Sequence, residues 1–295
     1  MVWICGYIYQ KFMDPDPITL SIEAGEFKIQ YLDYEGSGPG IVFLHATGFL
    51  PWVWHPVARR LRGKYRMAAP YFCDHRRDEP EEGGVSWALL ARDMSDFLKT
   101  LGWKDIFLVG HSMGGTVLTL AEGLYGPLAR KLILIEPIYL PDGIYGHRIT
   151  VDQHPLASKS IRRRNQWKDA AEAEKYLRGK ELFQDWDEEA LDLYIKYGMK
   201  AGESGGLTLA CHPIREAALF LGSASRDPWP LLPKITCPVL FLEGENSPNR
   251  NYIDLEKAAA LVPRAERRII PGAGHLVPME KPAAIAEIVE EYFRS

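Results

Sequence analysis

Residues 106–116, IFLVGHSMGGT, place a serine, Ser112, between two glycines, Gly110 and Gly114, directly after an apolar run of strand length. A segment that favours helix, residues 116–124, follows. In this strand–turn–helix context the G-x-S-x-G order is typical of a nucleophilic serine. The sharp turn strains the serine backbone, and side chains at either glycine would collide with the adjoining strand or helix. The pattern predicts that Ser112 is a nucleophile; the alternative is a glycine-rich helix start capped by Ser112.

A histidine near the end of the chain is the predicted general base. His275 closes the run PGAGH, in which glycines allow the loop to bring the imidazole over the serine. Imidazole suits this task because its ordinary pKa lies near neutrality. Among the other histidines, His111 is next to Ser112 but should point away from its hydroxyl, and His45 begins another loop. The alternative for His275 is a solvent-exposed loop histidine.

Strand and helix patterns alternate through most of the chain and would position this pair. Residues 18–23 and 27–31 alternate apolar and polar side chains, which predicts two half-buried strands in an antiparallel hairpin that turns at Gly25 and Glu26. Further patterns predict strands at 41–44, 65–69, 106–110, 131–137, 238–242 and 266–270, and helices at 54–61, 86–101, 116–124, 252–261 and 283–293. This alternation predicts an α/β fold, with a mostly parallel central sheet covered by helices on both faces.

The alternation breaks between residues 138 and 233. This segment is helical in pattern, rich in charge and in tryptophan (Trp167, Trp186 and Trp229), and has no convincing strand. We therefore predict a core made of residues 1–137 and 234–295, interrupted by an inserted helical lid at residues 138–233, called the cap below.

On these motifs the chain resembles the α/β-hydrolase superfamily and, within it, the hydrolases that carry a lid. The resemblance covers nearly the whole chain, and the cap is its least diagnostic part. The order of the catalytic residues in that superfamily is nucleophile, acid, histidine, and Ser112 and His275 fall in this order. The resemblance also implies an oxyanion hole made of two backbone N–H groups, one from Met113 and one from Thr47.

The acid is where this sequence departs from the resemblance. Such hydrolases usually carry an aspartate three residues after the glycine that follows this strand. In this chain the strand is at 238–242, the glycine is Gly244, and the residue three positions later is Ser247. Some relatives place the acid at the end of the strand that follows the nucleophile helix, and Glu136 occupies that place. A carboxylate that ends an apolar strand is costly to bury without a partner, which favours a functional Glu136. The alternatives are a structural salt bridge between Glu136 and a cap arginine, or an acid role for one of three other carboxylates, Glu243, Glu245 or Asp254.

Four residues are candidates for contact with a substrate: His45, Tyr139, Arg163 and Trp167. Arg163 lies in a run of three arginines that could bind a substrate carboxylate with two hydrogen bonds. The alternative is that this run is a solvated helix face. The aromatic candidates could line a pocket between cap and core, although packing within the cap is the alternative for them.

Composition bounds the function further. The chain has 295 residues, 46% hydrophobic content and a net charge of −4, which gives no electrostatic reason to expect nucleic acid or an anionic membrane as partner. No run reaches membrane-spanning length, and the apolar start, residues 1–9, lacks the marks of a signal peptide, so a cytoplasmic location is expected. The scattered cysteines predict reduced packing residues, and Cys211-His212 alone does not predict a metal site. The oligomeric state stays open.

The sequence therefore predicts a serine hydrolase that cleaves a small or medium carboxylic ester through an acyl-enzyme, without metal or cofactor. Ser112 attacks, His275 takes its proton and Glu136 orients the ring. A serine at this position argues against dehalogenase and epoxide hydrolase chemistry, for which the resemblance implies an aspartate. Two alternatives stay open: a carbon–carbon bond hydrolase with the same triad, and a receptor-like protein that binds a small molecule with little turnover.

Overall fold

The computed structural model describes residues 16–73, 75–76, 79–141, 143–203 and 205–295. The apolar segment 1–9, which includes Cys5, lies outside these residues. The described strands are β1 (Ile18–Ala24), β2 (Phe27–Asp33), β3 (Gly40–Leu44), β4 (Arg66–Pro70), β5 (Phe107–His111), β6 (Lys131–Ile135), β7 (Met199–Ala201), β8 (Leu207–Leu209), β9 (Val239–Gly244) and β10 (Ala265–Ile270). The described helices are α1 (His55–Leu61), α2 (Trp87–Leu101), α3 (Met113–Tyr125), α4 (Pro155–Ile161), α5 (Ala170–Arg178), α6 (Glu188–Tyr197), α7 (Pro213–Leu221), α8 (Leu255–Leu261), α9 (Val277–Glu280) and α10 (Pro282–Arg294).

One eight-stranded sheet, in the order β1-β2-β4-β3-β5-β6-β9-β10, organises the chain. The β1–β2 and β2–β4 pairs are antiparallel, and the other neighbouring pairs of this sheet are parallel. The predicted fold class is confirmed. Because β5, β6 and β9 are parallel neighbours, the loops that follow them meet at one edge of the sheet, the usual place for a site in this architecture.

The two faces of the sheet lie under separate hydrophobic clusters. Along β3, Ile41 and Phe43 belong to one cluster, whereas Val42 and Leu44 belong to the other. This is the two-residue period of a strand, and burial on both faces explains why β3 is apolar throughout. Helices α1 and α10 contribute to the first cluster, and α2, α3 and α8 contribute to the second.

The burial of β1 and the start of α8 differ from their predictions. β1 is predicted to be half-buried, but Ile18 and Leu20 are 47% and 41% exposed because β1 is the outermost strand of the sheet. The helix predicted for 252–261 begins only at Leu255. Asp254 sets this start, since its carboxylate accepts the N–H of Lys257 at 2.8 Å as an N-cap, and a 3₁₀ turn precedes it.

The cap contains α4 to α7 and also a small antiparallel sheet formed by β7 and β8. The prediction that this segment holds no strand is therefore wrong. Each of these strands has only three residues, which is too short for an alternating pattern to show. Hydrogen bonds join α7 to the core: the Val85 N–H donates to the Ala218 carbonyl at 2.9 Å, and the Trp87 indole donates to the Leu219 carbonyl at 2.8 Å. That the cap is a separate domain stays a prediction.

Candidate active site

Ser112 lies at the sharp turn between β5 and α3. Its backbone has φ 53° and ψ −117°, a conformation that residues with side chains rarely adopt. A Cβ atom at Gly110 would lie 2.6 Å from the Gly114 carbonyl oxygen, and a Cβ atom at Gly114 would lie 2.4 Å from the Leu44 carbonyl oxygen. Both contacts are with backbone, which cannot easily move aside. The turn therefore requires glycine at both positions.

His275 reaches Ser112 from the loop between β10 and α9. Its Nε2 atom lies 3.1 Å from the Ser112 hydroxyl oxygen. Glu280 holds this loop on both sides of the histidine, since its carboxylate accepts the N–H of Gly274 at 2.5 Å and that of Leu276 at 3.0 Å. The loop lies close over β9, where a Cβ atom at Gly244 would be 2.1 Å from the Gly274 carbonyl oxygen.

Glu136 follows β6 directly and is turned back towards the same loop. Its φ is +49°, so Ser112 and Glu136 are two of the four described non-glycine residues with a positive φ. One carboxylate oxygen, Oε2, lies 3.1 Å from His275 Nδ1 and accepts the Ser247 hydroxyl at 2.7 Å. The other, Oε1, accepts the Gly244 N–H at 2.7 Å. These partners compensate the burial of a side chain that is only 2% exposed.

The three other carboxylates considered for the acid have different partners. Glu243 pairs with Arg267 at 2.7 Å, Glu245 accepts the Gly272 N–H at 2.8 Å, and Asp254 caps α8. Ser247, where the resemblance led us to expect an aspartate, donates to Glu136 instead. Of the four carboxylates considered for the acid role, Glu136 is the one that contacts the His275 ring.

Two residues that the sequence did not indicate also contact His275. The His111 ring donates from Nε2 to the His275 carbonyl at 2.9 Å, and the Asn249 side-chain amide nitrogen lies 2.9 Å from His275 Nδ1. Burial lowers the pKa of His111 well below its ordinary value, with a smaller contribution from His275, so this ring stays neutral. Asn249 lies in the 3₁₀ turn after β9 and carries no motif that could have marked it.

The two amides predicted for the oxyanion hole lie on adjoining segments. Met113 is the first residue of α3, so its N–H lies before the hydrogen-bond ladder of the helix begins. The loop after β3 lies against this helix start, because a Cβ atom at Gly114 would be 2.7 Å from the His45 carbonyl oxygen. Thr47 follows in that loop, where Gly48 has φ +80°. The oxyanion role of both amides stays a prediction.

Three of the predicted substrate contacts are enclosed by packing. His45 is fully buried, and burial lowers its pKa to about 4. Tyr139 is also fully buried and shares a 2.6 Å hydrogen bond with the Thr119 hydroxyl. The Trp167 ring lies inside the cap with the Arg164 guanidinium 5.6 Å from its centroid. Substrate contact by these side chains would require movement of their surroundings, and it stays a prediction.

Arg163 is paired within the protein. Its guanidinium donates to both carboxylate oxygens of Glu216, at 2.9 and 3.1 Å. Glu216 in turn lies against the loop that carries Thr47, since a Cβ atom at Gly48 would be 2.3 Å from its Oε1. A substrate carboxylate would therefore have to compete with Glu216 for Arg163.

Neither a metal-binding cluster nor a membrane-spanning helix is found among the described residues. No group of three or more histidine, cysteine, aspartate or glutamate side chains among them could hold a metal ion. His212 accepts the Ile214 N–H at 3.3 Å as the cap of α7, and Cys211 is buried. None of the helices in the described ranges is long and apolar enough to cross a membrane.

The chain is similar to known proteins in sequence and in fold. The model of the alpha/beta hydrolase family matches residues 41–288. The 2-(acetamidomethylene)succinate hydrolase of Mesorhizobium japonicum is 25% identical over 263 residues, 88% of this chain and 89% of that protein. A putative esterase/lipase of Haemophilus influenzae is 26% identical over 211 residues, 70% of this chain and 67% of that protein. The crystal structure of an E-2-(acetamidomethylene)succinate hydrolase has a TM-score of 0.79 at 24% identity and covers 95% of this chain and 100% of its own.

Proposed function

Because this chain belongs to the alpha/beta hydrolase family, we propose that it is a serine hydrolase that cleaves a small or medium carboxylic ester through an acyl-enzyme. The observation that supports this proposal most is the continuous contact from the Ser112 hydroxyl through His275 to Glu136, with 3.1 Å at each step. A nucleophile, a base and a group that orients the base are the three parts that acyl transfer from a serine requires.

In the proposed reaction the Ser112 oxygen attacks the ester carbonyl carbon while His275 Nε2 takes the hydroxyl proton. The negative charge on the carbonyl oxygen is held by the N–H groups of Met113 and Thr47. His275 returns the proton to the departing alcohol, which leaves an acyl group on Ser112. Water then attacks the acyl carbon while His275 Nε2 takes one of its protons. The ring gives this proton to the Ser112 oxygen as the bond between that oxygen and the acyl group breaks and the carboxylic acid leaves. Glu136 stabilises the protonated ring in both halves of the reaction.

The proposed substrate is a small molecule that binds between the cap and the edge of the sheet. Aromatic side chains of the cap lie beside the loop that carries Thr47: the Trp186 and Tyr194 rings are 5.6 and 5.7 Å from the ring of Phe49 in that loop. These three rings are less than one tenth exposed, so we propose that only their edges contact the acyl or alcohol chain of an ester. We propose a cytoplasmic location and no cofactor.

The test is a set of nitrophenyl esters of increasing acyl length. We expect turnover of the short and medium esters and none by protein inactivated beforehand with a fluorophosphonate, because that reagent occupies an activated serine. Cleavage of a carbon–carbon bond next to a ketone, with the esters untouched, would instead support the first alternative reaction. Saturable binding of a small molecule without turnover of any ester would support the receptor alternative.

A further inference from the structure

One nitrogen of His275 faces two groups of opposite hydrogen-bonding character. Nδ1 lies 3.1 Å from Oε2 of Glu136, which can only accept, and 2.9 Å from Nδ2 of Asn249, which can only donate. A ring nitrogen that carries a hydrogen donates, and one without a hydrogen accepts. Nδ1 therefore bonds to Glu136 in one tautomer of the neutral ring and to Asn249 in the other.

The surroundings of Asn249 hold its amide nitrogen towards His275. Its amide oxygen accepts a hydrogen bond from the Tyr252 hydroxyl, and its amide nitrogen lies 3.5 Å from Oε2 of Glu136. The reverse orientation would place the amide oxygen against that carboxylate, which is repulsive. Burial, together with the Glu136 charge, raises the pKa of Tyr252, so its hydroxyl keeps the proton that it donates. The backbone N–H of Asn249 is also held, by the Ser247 hydroxyl at 3.3 Å.

We propose that Asn249 is a positioning residue that competes with Glu136 for Nδ1 of His275. When Asn249 donates to Nδ1, the ring hydrogen is on Nε2, which then donates to Ser112 and cannot take its proton. When the ring becomes doubly protonated during the reaction, Nδ1 must donate to Glu136, and the Asn249 N–H is left facing another donor. Asn249 therefore moderates the strength of the base. This inference rests on the proposed function of the same site.

The other polar groups around His275 do not replace this contact. His111 donates to the His275 backbone carbonyl, and its ring is neutral because burial lowers its pKa. Glu280 accepts the N–H groups of Gly274 and Leu276 on either side. Tyr252 acts through Asn249. The charged partner of the ring itself is Glu136.

The test compares Asn249→Ala and Tyr252→Phe with Asn251→Ala as the matched control. Asn251 is an exposed asparagine in the same 3₁₀ turn. Tyr252→Phe removes only the hydroxyl that holds the Asn249 amide, on a side chain that is 54% exposed, so it should fold even if Asn249→Ala does not. Two quantities are measured: the pH profiles of kcat and kcat/KM for a nitrophenyl ester, and the tautomer of His275 by nitrogen-15 NMR of histidine-labelled protein without substrate.

For Asn249→Ala we expect the plateau of kcat to rise about two- to fivefold with KM unchanged, because more of the ring has Nε2 free to accept a proton. The acid limb of the kcat/KM profile should move to higher pH by about half a unit, because the protonated ring no longer faces a second donor. The NMR signals should shift from mixed tautomers towards the form protonated at Nδ1. Tyr252→Phe should change each quantity in the same direction by less, and Asn251→Ala should change none.

A wild-type ring already protonated at Nδ1, or an Asn249→Ala variant whose kcat falls and whose acid limb moves to lower pH, would overturn the inference. The first result would mean that Glu136 alone sets the tautomer, and the second that Asn249 presents its amide oxygen and supports Glu136. The NMR measurement needs no substrate, so it is unaffected if the substrate class is wrong. Failure of the proposed function would appear separately, as nitrophenyl esters that the wild-type protein does not cleave or as a Ser112 that a fluorophosphonate does not modify.

Discussion

Replacing Ser112 with alanine is expected to lower kcat/KM for nitrophenyl esters by about 10⁵- to 10⁶-fold, close to the loss that removal of a triad serine causes. The substitution deletes one oxygen atom whose side-chain partner in the structure is His275. No acyl-enzyme can form without it, and the activity that remains would come from the oxyanion amides and binding alone.

The protein should keep its fold, because the alanine Cβ occupies the place of the serine Cβ and the flanking glycines are unchanged. Ser95→Ala is a suitable control, since Ser95 is a buried serine on α2 whose hydroxyl has no hydrogen-bond partner among the described residues. We expect that control to retain wild-type rates. A Ser112→Ala protein that kept more than a few per cent of wild-type turnover would contradict the assignment of the nucleophile.

Replacing Glu136 with glutamine is expected to lower kcat by about 10³- to 10⁴-fold, as loss of the triad acid does in other serine hydrolases. Glutamine keeps the shape of the side chain but removes the negative charge that faces Nδ1 of His275. The protonated ring that forms during acylation then loses its charged partner. The amide can also donate to Nδ1, which favours the ring tautomer in which Nε2 cannot accept the serine proton.

The matched control is Glu245→Gln. Glu245 is a nearby carboxylate, and among the hydrogen bonds described it accepts only the one from the Gly272 N–H. We expect this control to change kcat less than about threefold, because surface contacts of this kind contribute little. Circular dichroism and thermal unfolding of both variants would show whether each is folded at the assay temperature. If Glu136→Gln keeps near wild-type rates while a change at Glu243, Glu245 or Asp254 abolishes turnover, the acid is misassigned.

The sequence was sufficient to predict the main features of the sheet. Continuous apolar runs such as β3 and β5 predict strands buried on both faces, and the structure confirms the parallel arrangement. Short elements and exact helix starts could not be predicted from apolar patterns. β7 and β8 have three residues each, and the start of α8 is set by the capping carboxylate of Asp254 and not by an apolar period.

The residues of the candidate site also differ in whether the sequence could predict them. Ser112 and His275 could be named because local glycines mark each of them, and Glu136 because a carboxylate is unusual at the end of an apolar strand. The contacts of Asn249 and His111 with His275 could not be predicted, since they join positions that are 26 and 164 residues apart in the chain. The pairing of Arg163 with Glu216 depends likewise on how two cap segments pack.

The most direct test of the central claim is an acid quench of the wild-type protein during reaction with a nitrophenyl ester, followed by mass mapping of its peptides. We predict that the peptide carrying Ser112 gains the mass of the acyl group within the first turnover and that the Ser112→Ala protein gains none. Ester hydrolysis with the acyl group on a different residue, or with no covalent adduct on any substrate of the series, would contradict the account.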